Sequence, residues 1–384
     1  MIEVLEKRLC SGCTACAVIC PKNCISMKED GEGFLYPVVD KNSCIKCGLC
    51  IKTCPIIEKK QKKDNEDPRA YAVVNKNEEI RKKSSSGGVF YQLALYVIRR
   101  GGVVFGAAFN DDFSVSHKWI DSEDKINIFQ GSKYVQSKIE DSFVKAKDFL
   151  DSGRLVYFSG TPCQIGGLLS FLKKPYDNLI TQDFICHGVP SPMVWKKYLD
   201  YKKQGKKIKE VSFRDKRNGW RKFTICLKFD DGSEYSETLQ KDLYLRAFLK
   251  NLCLRQSCYN CSFKTISRNT DITLADFWGV EKEYPELYDE RGISLVLLQS
   301  ATGEKIFNEI KDGFSFQSVA LLRSVAKNLS INNCAQKPKE RDAFMKELGS
   351  KSFLSAKRFC EDSFFDRVFS VLKRIKNKMF RRKK

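Results

Sequence analysis

The hydrophobic positions along the first half of the chain predict strands that alternate with helices. Apolar residues recur at helical spacing over 87–100 and stop at Gly101-Gly102, which predicts an amphipathic helix ending at that pair. Short apolar runs predict strands at 70–74, 103–109, 155–158 and 179–185. Pro162 follows the third of these runs and suits the first turn of a further helix.

Later in the chain the pattern changes from alternation to local pairing of strands. Apolar runs at 211–213, 223–229 and 233–237 predict antiparallel strands, and an Asp-Gly pair between the last two is a strong hairpin signal. Near the N-terminus, residues 25–39 contain several turn-forming residues and predict a separate hairpin. The expected fold class is therefore α+β, with an N-terminal unit followed by a mixed α/β body.

Charged stretches with few apolar residues suggest where the domains end. Five segments are predicted: a domain at 1–58, a linker at 59–69, the two parts of the body at 70–175 and 176–345, and a basic tail at 346–384. Within the tail, residues 364–384 would form a helix with one apolar and one basic face. Such a helix can lie in a membrane interface, remain solvated or dock on a partner.

Eight of the 17 cysteines form two copies of the phrase Cys-x2-Cys-x2-Cys-x3-Cys-Pro. The first copy is Cys10, Cys13, Cys16 and Cys20, and the second is Cys44, Cys47, Cys50 and Cys54. This spacing is that of bacterial two-cluster ferredoxins, in which the fourth cysteine of each copy ligates the other copy's cluster. We therefore assign one 4Fe-4S cluster to Cys10, Cys13, Cys16 and Cys54, and the other to Cys44, Cys47, Cys50 and Cys20. Zinc sites and disulfides fit this spacing less well.

The cysteine content indicates the cellular compartment, and the net charge indicates which partners are favoured. Residues 1–8 lack the hydrophobic stretch of a secretory signal, and no apolar run approaches a membrane span, so we expect a reducing cytoplasm. The net charge is +21, concentrated in 194–222 and 367–384. No nucleic-acid-binding motif accompanies these runs. Attraction to an acidic redox partner, an acidic substrate or an anionic surface at the inner membrane face is the favoured interpretation.

A second set of cysteines suggests a further metal site. Cys163 stands at a predicted helix start, Cys186 ends the next strand, and Cys258 and Cys261 form a Cys-x2-Cys pair. These four could close around one more cluster, with Cys253 as an alternative ligand. The rival hypothesis is a thiol enzyme, in which the helix end lowers the pKa of Cys163 and His187 acts as its base. A third possibility is that they are buried structural cysteines, the interpretation given to Cys24, Cys226, Cys334 and Cys360.

Several phrases together resemble the beta-subunit family of coenzyme F420-reducing hydrogenase and coenzyme F420-linked dehydrogenases, to which plant and bacterial chlorophyllide reductases are similar. The resemblance is carried by Ser85-Ser86-Gly87-Gly88, residues 131–137, the phrases around Cys163 and Cys186, residues 213–216, Gly219-Trp220 and residues 258–278. It implies a third 4Fe-4S cluster and FAD. Cys163, Cys186, Cys258 and Cys261 become the implied ligands of that cluster, with Asp271 or Asp276 as a possible replacement for one.

The resemblance also directs attention to residues for the flavin. The implied cofactor contacts are Ser85, Ser86, Gly87, Gly88, Ser132, Lys133, Gln136 and Trp220. The serine–glycine phrase opens a helix and can cradle a pyrophosphate, although an ordinary helix cap has the same pattern. No Gly-x-Gly-x-x-Gly motif supports a Rossmann fold. Lys133 would neutralise a phosphate or act at the flavin ring, and Arg214 and Lys216 would meet an anionic substrate.

These observations predict an iron–sulfur flavoprotein oxidoreductase. Ferredoxin or another low-potential carrier would be the partner, and an organic molecule such as a deazaflavin would be the acceptor. Lys133 and His187 are the candidate catalytic residues, and Arg255 and Arg268 would stabilise the cluster or flavin electrostatically. The alternative is a non-catalytic electron-transfer or adapter subunit of a larger redox complex.

Overall fold

The computed structural model of the protein describes residues 1–58 and 67–361. Most of the predicted linker and the predicted helix over 364–384 lie outside the described residues. The strands are β1 Ile25–Glu29, β2 Leu35–Val39, β3 Arg69–Asn75, β4 Val103–Phe109, β5 Val115–Ile120, β6 Val156–Ser159, β7 Leu179–Phe184, β8 Ile208–Asp215, β9 Thr224–Phe229, β10 Glu234–Thr238, β11 Ile272–Asp276, β12 Ser294–Leu298 and β13 Phe314–Val319.

Helices connect these strands and flank the cysteine loops. The α-helices are α1 Ala15–Val18, α2 Leu49–Lys52, α3 Glu78–Lys83, α4 Val89–Ile98, α5 Ser142–Asp151, α6 Pro162–Leu172, α7 Pro192–Lys203, α8 Leu243–Leu249, α9 Val280–Glu283, α10 Ala301–Ile310, α11 Leu321–Val325, α12 Arg341–Ser350 and α13 Lys357–Cys360. The 3-10 turns include Lys7–Leu9, Glu123–Phe129, Trp220–Lys222 and Gln256–Asn260.

The body is organised around an eight-stranded mixed sheet with the order β13-β3-β12-β11-β7-β6-β4-β5. The neighbours β4, β6, β7 and β11 run parallel, and the other pairs are antiparallel. Successive residues of β4 point to opposite faces, so Val104 packs with α4 and α10 while Val103 and Phe105 pack with α5 and α6. Because central strands such as β4 and β6 are covered on both faces, they are nearly continuous apolar runs, and these runs predicted them from the sequence.

Both predicted parts of the body contribute strands to this one sheet. Strands β3 to β6 come from the part at 70–175, and β7 and β11 to β13 come from the part at 176–345. Strands β11 and β12 are central, yet the hydrophobic pattern did not single them out. Short buried runs of this kind are hard to tell from buried helix segments by periodicity alone.

A second core forms beside the sheet. The antiparallel sheet β8–β10 contains the predicted hairpin, and it packs with α7, α8 and the C-terminal helices. Phe344, Leu348, Phe353 and Cys360 are buried in this core. The folded body therefore continues to residue 360, beyond the predicted start of the tail at 346, because these apolar side chains complete its packing.

The N-terminal unit is fastened to the body by side-chain contacts. Glu32, in the turn between β1 and β2, accepts two 2.5 Å hydrogen bonds from Arg341. Lys138 forms an ion pair with Glu29 at 3.0 Å. A Cβ atom at Gly167 on α6 would lie 3.0 Å from the sulfur of Cys13, so only a glycine allows this close approach. The cysteine loops are thereby placed against the start of α6.

Within residues 1–58 and 67–361, no helix combines the length and the apolar character that crossing a bilayer requires.

Candidate functional site

The eight N-terminal cysteines form two groups that differ in depth. We call Cys10, Cys13, Cys16 and Cys54 the inner group. Three of these are buried, with exposed fractions of 9% for Cys13, 8% for Cys16 and 6% for Cys54. Burial first, and then the neighbouring thiols of Cys13, Cys10 and Cys54, raise the pKa of Cys16. The structure therefore brings the fourth cysteine of the second copy to the first three of the first copy.

The remaining four, which we call the outer group, are Cys20, Cys44, Cys47 and Cys50. They line one cavity together with Pro21, Lys46 and other residues of both copies. Cys47 is exposed, and its neighbour Ile45 is 58% exposed. The outer group therefore lies at the surface, and the inner group lies between it and the body.

The second set of cysteines lines a single cavity, which we call the thiol cavity. Its members are Cys163, Cys186, Cys258 and Cys261. Cys163 is carried into it by the first turn of α6, which has Thr161 and Gln164 in a reciprocal capping box. Cys186 follows the C-terminal end of β7, the neighbour of the strand that precedes α6. The Gln256–Asn260 turn supplies Cys258, and Cys261 directly follows this turn. Burial first, and then the charges of Cys261, Cys186 and Cys258, raise the pKa of Cys163.

The thiol cavity adjoins the inner group rather than the outer one. Leu9, Ser11 and Ile56, which flank inner-group cysteines in the sequence, also line it. The two cysteine sets are therefore neighbours across the boundary between the N-terminal unit and the body.

Cations and amide groups surround the thiol cavity. Arg255, Lys264 and Arg268 contribute to its lining. Burial raises the pKa of Cys186 to about 12, although the charges of Lys264 and Arg268 act in the opposite direction. The backbone N–H of Val189 donates to the sulfur of Cys258 at 3.4 Å. Such donors and cations favour negatively charged sulfur ligands.

The four thiols line a cavity and are not gathered around a single metal position. Among residues 1–58 and 67–361, no three His, Cys, Asp or Glu side chains are grouped as ligands of one metal ion. A multi-atom iron–sulfur cluster instead takes one cysteine at each of four iron atoms, which separates the ligands. The four thiols that line this cavity have the ligand number of such a cluster.

The contacts of His187 do not suit a base for Cys163. His187 lines the thiol cavity, but its Nε2 is 2.6 Å from Oδ1 of Asn251 and its Nδ1 is 3.4 Å from the hydroxyl of Ser330. Burial raises the pKa of the Cys163 thiol, which is opposite to the lowering that the thiol-enzyme hypothesis expects.

The alternative ligands considered from the sequence lie elsewhere. Asp271 accepts hydrogen bonds from Thr181 and Ser300, and Asp276 is paired with Arg214. Cys253 is fully buried in the core beside the three-stranded sheet. None of the three lines the thiol cavity.

Two cysteines interpreted as structural lie beside expected ligands, and sequence reasoning missed both. The sulfur of Cys24 is 3.3 Å from that of Cys20. The sulfur of Cys334 accepts the backbone N–H of Cys261 at 3.1 Å. The four-residue spacing from Cys20 was a signal for the first, whereas nothing local to Cys334 indicates the second.

A separate cleft of about 1400 Å³ opens in the body. Ser84, Ser85, Ser132 and Lys133 line it, and the hydroxyl groups of Ser85 and Ser132 are 2.8 Å apart. Two further lysines of α3, Lys82 and Lys83, lie at its rim. The cleft exceeds the usual volume of a site for one small ligand, so it has room for a dinucleotide and a second molecule.

The serine–glycine phrase is divided between the cleft and the core. The hydroxyl of Ser86 donates to the carbonyl of Ile293 at 2.7 Å, and the N–H of Gly87 donates to Ser294 at 2.9 Å. A Cβ atom at Gly87 would lie 2.2 Å from the carbonyl oxygen of Val73. Ser86, Gly87 and Gly88 do not line the cleft, and the first two fasten the start of α4 to the sheet.

Lys133 is a cation of the cleft lining whose ammonium group is held by backbone carbonyls. Its ammonium group donates to the carbonyls of Ile128 at 2.9 Å and Gln130 at 3.0 Å, and it has no carboxylate partner among the described residues. Although the side chain keeps some exposed surface, the surrounding protein desolvates it and lowers its pKa to about 7. An anionic ligand would restore the missing counter-charge.

Arg214, which lines the cleft, and Trp220, which does not, share one carboxylate. Arg214 donates to both oxygens of Asp276 at 3.0 and 3.1 Å, and the indole N–H of Trp220 donates to Oδ1 at 2.8 Å. Trp220 is fully buried and stacks on Trp278 with ring centroids 4.8 Å apart. Trp220 therefore positions Arg214 and does not itself reach the cleft.

Gln136 and Lys216 also have roles that the sequence did not suggest. Gln136 lies at the boundary with the N-terminal unit, where its amide donates to the carbonyl of Ser11 at 3.1 Å. The ammonium of Lys216 lines the cleft but donates to the carbonyls of Arg81, Ser86 and Arg291. Lys216 therefore joins three loops of the cleft wall, and burial lowers its pKa to about 8.

A row of aromatic side chains joins the cleft to the thiol cavity. The ring centroid of Phe213, in the cleft wall, is 5.5 Å from that of Tyr134. Tyr134 stacks on Phe248 with ring centroids 4.8 Å apart. Phe248 contacts His187 of the thiol cavity at 5.1 Å. The two sites are thus connected by continuous packing.

Comparisons with known proteins agree with the two-part organisation. Residues 153–320 match the family model that describes the C terminus of the beta subunit of coenzyme F420 hydrogenase/dehydrogenase, and residues 9–56 match the 4Fe-4S dicluster domain. A chain from the F420-reducing NiFe hydrogenase complex of Methanosarcina barkeri is similar in structure, with 16% identity and a TM-score of 0.47; the alignment covers 75% of this chain and 95% of that chain. No curated relative matches the sequence.

Proposed function

The chain belongs to the coenzyme F420 hydrogenase/dehydrogenase beta-subunit family and carries a 4Fe-4S dicluster domain, and on that premise we propose that it is an iron–sulfur flavoprotein oxidoreductase. Electron transfer through iron–sulfur clusters is its general role. The proposal adds a third cluster, FAD, and an organic acceptor that is reduced in the cleft.

The single observation that carries the proposal is the position of the thiol cavity. Cys163, Cys186, Cys258 and Cys261 come from three separate parts of the chain, yet they converge beside the inner group. Structural cysteines have no reason to converge in this way. Together with Lys264 and Arg268, they would hold a third 4Fe-4S cluster and offset its negative charge.

The cleft supports a flavin. Ser84, Ser85 and Ser132 offer hydroxyl groups, while Lys82, Lys83 and Lys133 offer positive charge for the pyrophosphate of FAD. When bound, a flavin exchanges one electron at a time with clusters and two with organic molecules, a conversion that clusters alone do not supply. The chain's own residues would orient that flavin, and Lys133 would hold a proton or a positive charge beside it.

The setting and partners follow from the same charges. The exposed outer group suits an incoming low-potential carrier such as ferredoxin, and the excess of basic residues suits an acidic one. We propose a cytoplasmic location and contact with an anionic membrane face through the basic tail. The acceptor would be coenzyme F420 or another anionic organic molecule.

The direct test is turnover by anaerobically purified protein supplied with FAD and chemically reduced ferredoxin. We expect ferredoxin oxidation that depends on an added deazaflavin or related acceptor, and one bound FAD per chain. Protein that retains its clusters but binds no flavin and reduces no acceptor would instead support the adapter alternative.

A further inference from the structure

Arg255 occupies an unusual position between two cysteine sets. It immediately precedes the Gln256–Asn260 turn, lines the thiol cavity and is fully buried. Its Nε donates to the carbonyl of Cys10 at 2.7 Å, and its Nη2 donates to the carbonyl of Leu35 at 2.8 Å. The guanidinium group therefore touches the inner-group loop while its backbone holds Cys258, whose N–H donates to the carbonyl of Arg255 at 2.9 Å.

All the polar partners of this guanidinium group are neutral. Besides the two carbonyls, Nη1 donates to the amide oxygen of Gln136 at 3.1 Å. The rings of Tyr36 and Phe34 lie 4.2 and 5.3 Å from its central carbon. In the described part of the chain, no carboxylate pairs with Arg255.

The other buried arginines behave differently. Each of them has a carboxylate partner in the structure: Arg81 with Asp289, Arg214 with Asp276, Arg268 with Asp183 and Arg341 with Glu32. Burying a cation without a counter-charge is strongly unfavourable. Arg255 therefore needs an anion that its protein surroundings do not supply.

Two anionic groups would adjoin it in the loaded protein. A 4Fe-4S core held by four thiolates is negatively charged, and Arg255 lies between the inner group and the thiol cavity. The loop around Cys10 is shaped for this contact, because a Cβ atom at Gly12, where φ is +69°, would lie 2.8 Å from Nη1. Only a glycine there leaves space for the guanidinium group.

We propose that Arg255 is the shared counter-cation of two iron–sulfur clusters, the inner-group cluster and the cluster of the thiol cavity. A positive charge at this place stabilises the reduced, more negative form of both clusters and so raises both reduction potentials. This inference rests on the proposed third cluster. It makes Arg255 a positioning residue that sets the redox balance at the boundary between the N-terminal unit and the body.

The test is anaerobic redox titration of the full-length holoprotein, followed by electron paramagnetic resonance. In Arg255→Gln we expect the reduction equilibrium constant of the inner-group cluster and that of the thiol-cavity cluster each to fall about tenfold. For a one-electron reduction this corresponds to a fall of about 59 mV in each reduction potential. The outer-group cluster should keep its potential. Arg255→Lys, which retains the charge, should restore most of the difference.

A second variant tests the same inference without removing Arg255, in case Arg255→Gln fails to fold. Gln136→Glu places a carboxylate beside the intact guanidinium group and should lower the same two potentials. As a control, the double variant Glu32→Gln with Arg341→Gln removes a buried contact across the same boundary without changing the charge of the pair. It should leave all three potentials in place.

The outcomes separate this inference from the proposed function. Fully loaded Arg255→Gln with unchanged potentials, or an equal fall in all three clusters, would overturn the role of Arg255. A change confined to the inner-group cluster in protein with twelve irons would overturn the shared role. Wild-type protein with eight irons would instead overturn the third cluster itself.

Discussion

The thiol cavity and the cleft solve opposite problems of charge. The cavity is small, gathers thiols from distant parts of the chain and surrounds them with Arg255, Lys264 and Arg268. The cleft is much larger, and many of its charged residues are already paired within the protein, as Arg217 is with Glu234. A resident anionic cluster needs permanent cations around it, whereas a ligand that comes and goes needs a few cations that remain without a partner.

Lys133 illustrates what the difference teaches. Its ammonium group donates to carbonyl oxygens and its pKa is lowered to about 7, so the cleft keeps this cation without a counter-charge from the described part of the protein. In the thiol cavity, by contrast, Arg268 is bound to Asp183 at 3.2 Å and remains in place whatever the ligand. Substitutions on the two sides should therefore have separable effects on iron and on flavin.

The largest expected effect is in the thiol cavity. The double variant Cys163→Ser with Cys186→Ser should lose one whole cluster, about four irons per chain, because two of four thiolate ligands are gone. Acceptor reduction should fall to background while FAD still binds. Iron analysis and flavin absorbance measure the two outcomes. Cys360→Ser, at a buried cysteine that lines neither the thiol cavity nor the cleft, is the matched control; equal iron loss there would remove the distinction.

The next largest effect is expected at the buried ion pair of Arg214 and Asp276. Asp276→Asn leaves Arg214 buried without its counter-charge, which costs roughly 3 kcal/mol of unfolding free energy and loosens the cleft wall. Lower thermal stability and weaker FAD binding, with iron content retained, are the expected results. Glu281→Gln breaks the more exposed pair with Arg221 and should cost less than about 1 kcal/mol. Similar losses in both variants would contradict the importance of the buried pair.

A smaller effect, with a pH signature, is expected at Lys133. Because the pKa is lowered to about 7, the side chain is charged below that pH and neutral above it. FAD affinity should therefore be highest below pH 7 and fall by up to about tenfold per pH unit above it, until the bound-state pKa is reached. Isothermal titration from pH 6 to 9 measures this dependence. Lys133→Arg should abolish it, and an unchanged slope in that variant would assign the effect to another group such as Lys216.

The smallest effect is expected at the serine pair. Ser132→Ala removes the 2.8 Å hydrogen bond to Ser85 and one hydroxyl group of the cleft, and should weaken FAD binding by about 1 kcal/mol. The measurement is again FAD affinity at a single pH below 7. Ser355→Ala, at an exposed serine that donates to Ser352 far from the cleft, should leave the affinity unchanged.

The sequence predicted features that depend on local pattern. The strand at 103–109 is β4 residue for residue, and the hairpin around Asp231-Gly232 forms as expected. The α+β class and the family resemblance are confirmed. Hydrophobic period, turn residues and cysteine spacing are all readable within a window of a few residues.

Features that depend on contacts between distant residues were beyond such reasoning. Asp276 was considered as a cluster ligand because it lies near Cys261 in the sequence, whereas its partner Arg214 is 62 residues away. Gln136 was assigned to the flavin but bonds to Arg255. The absence of a carboxylate beside Arg255 in the described residues is likewise visible only in three dimensions.

The most direct test of the account is the count of iron and acid-labile sulfide per chain in anaerobically purified wild-type protein. Two clusters in the N-terminal unit and one in the thiol cavity predict about twelve of each. A stable value of about eight, after cluster assembly was supported during expression, would show that Cys163, Cys186, Cys258 and Cys261 hold no cluster and would contradict the account.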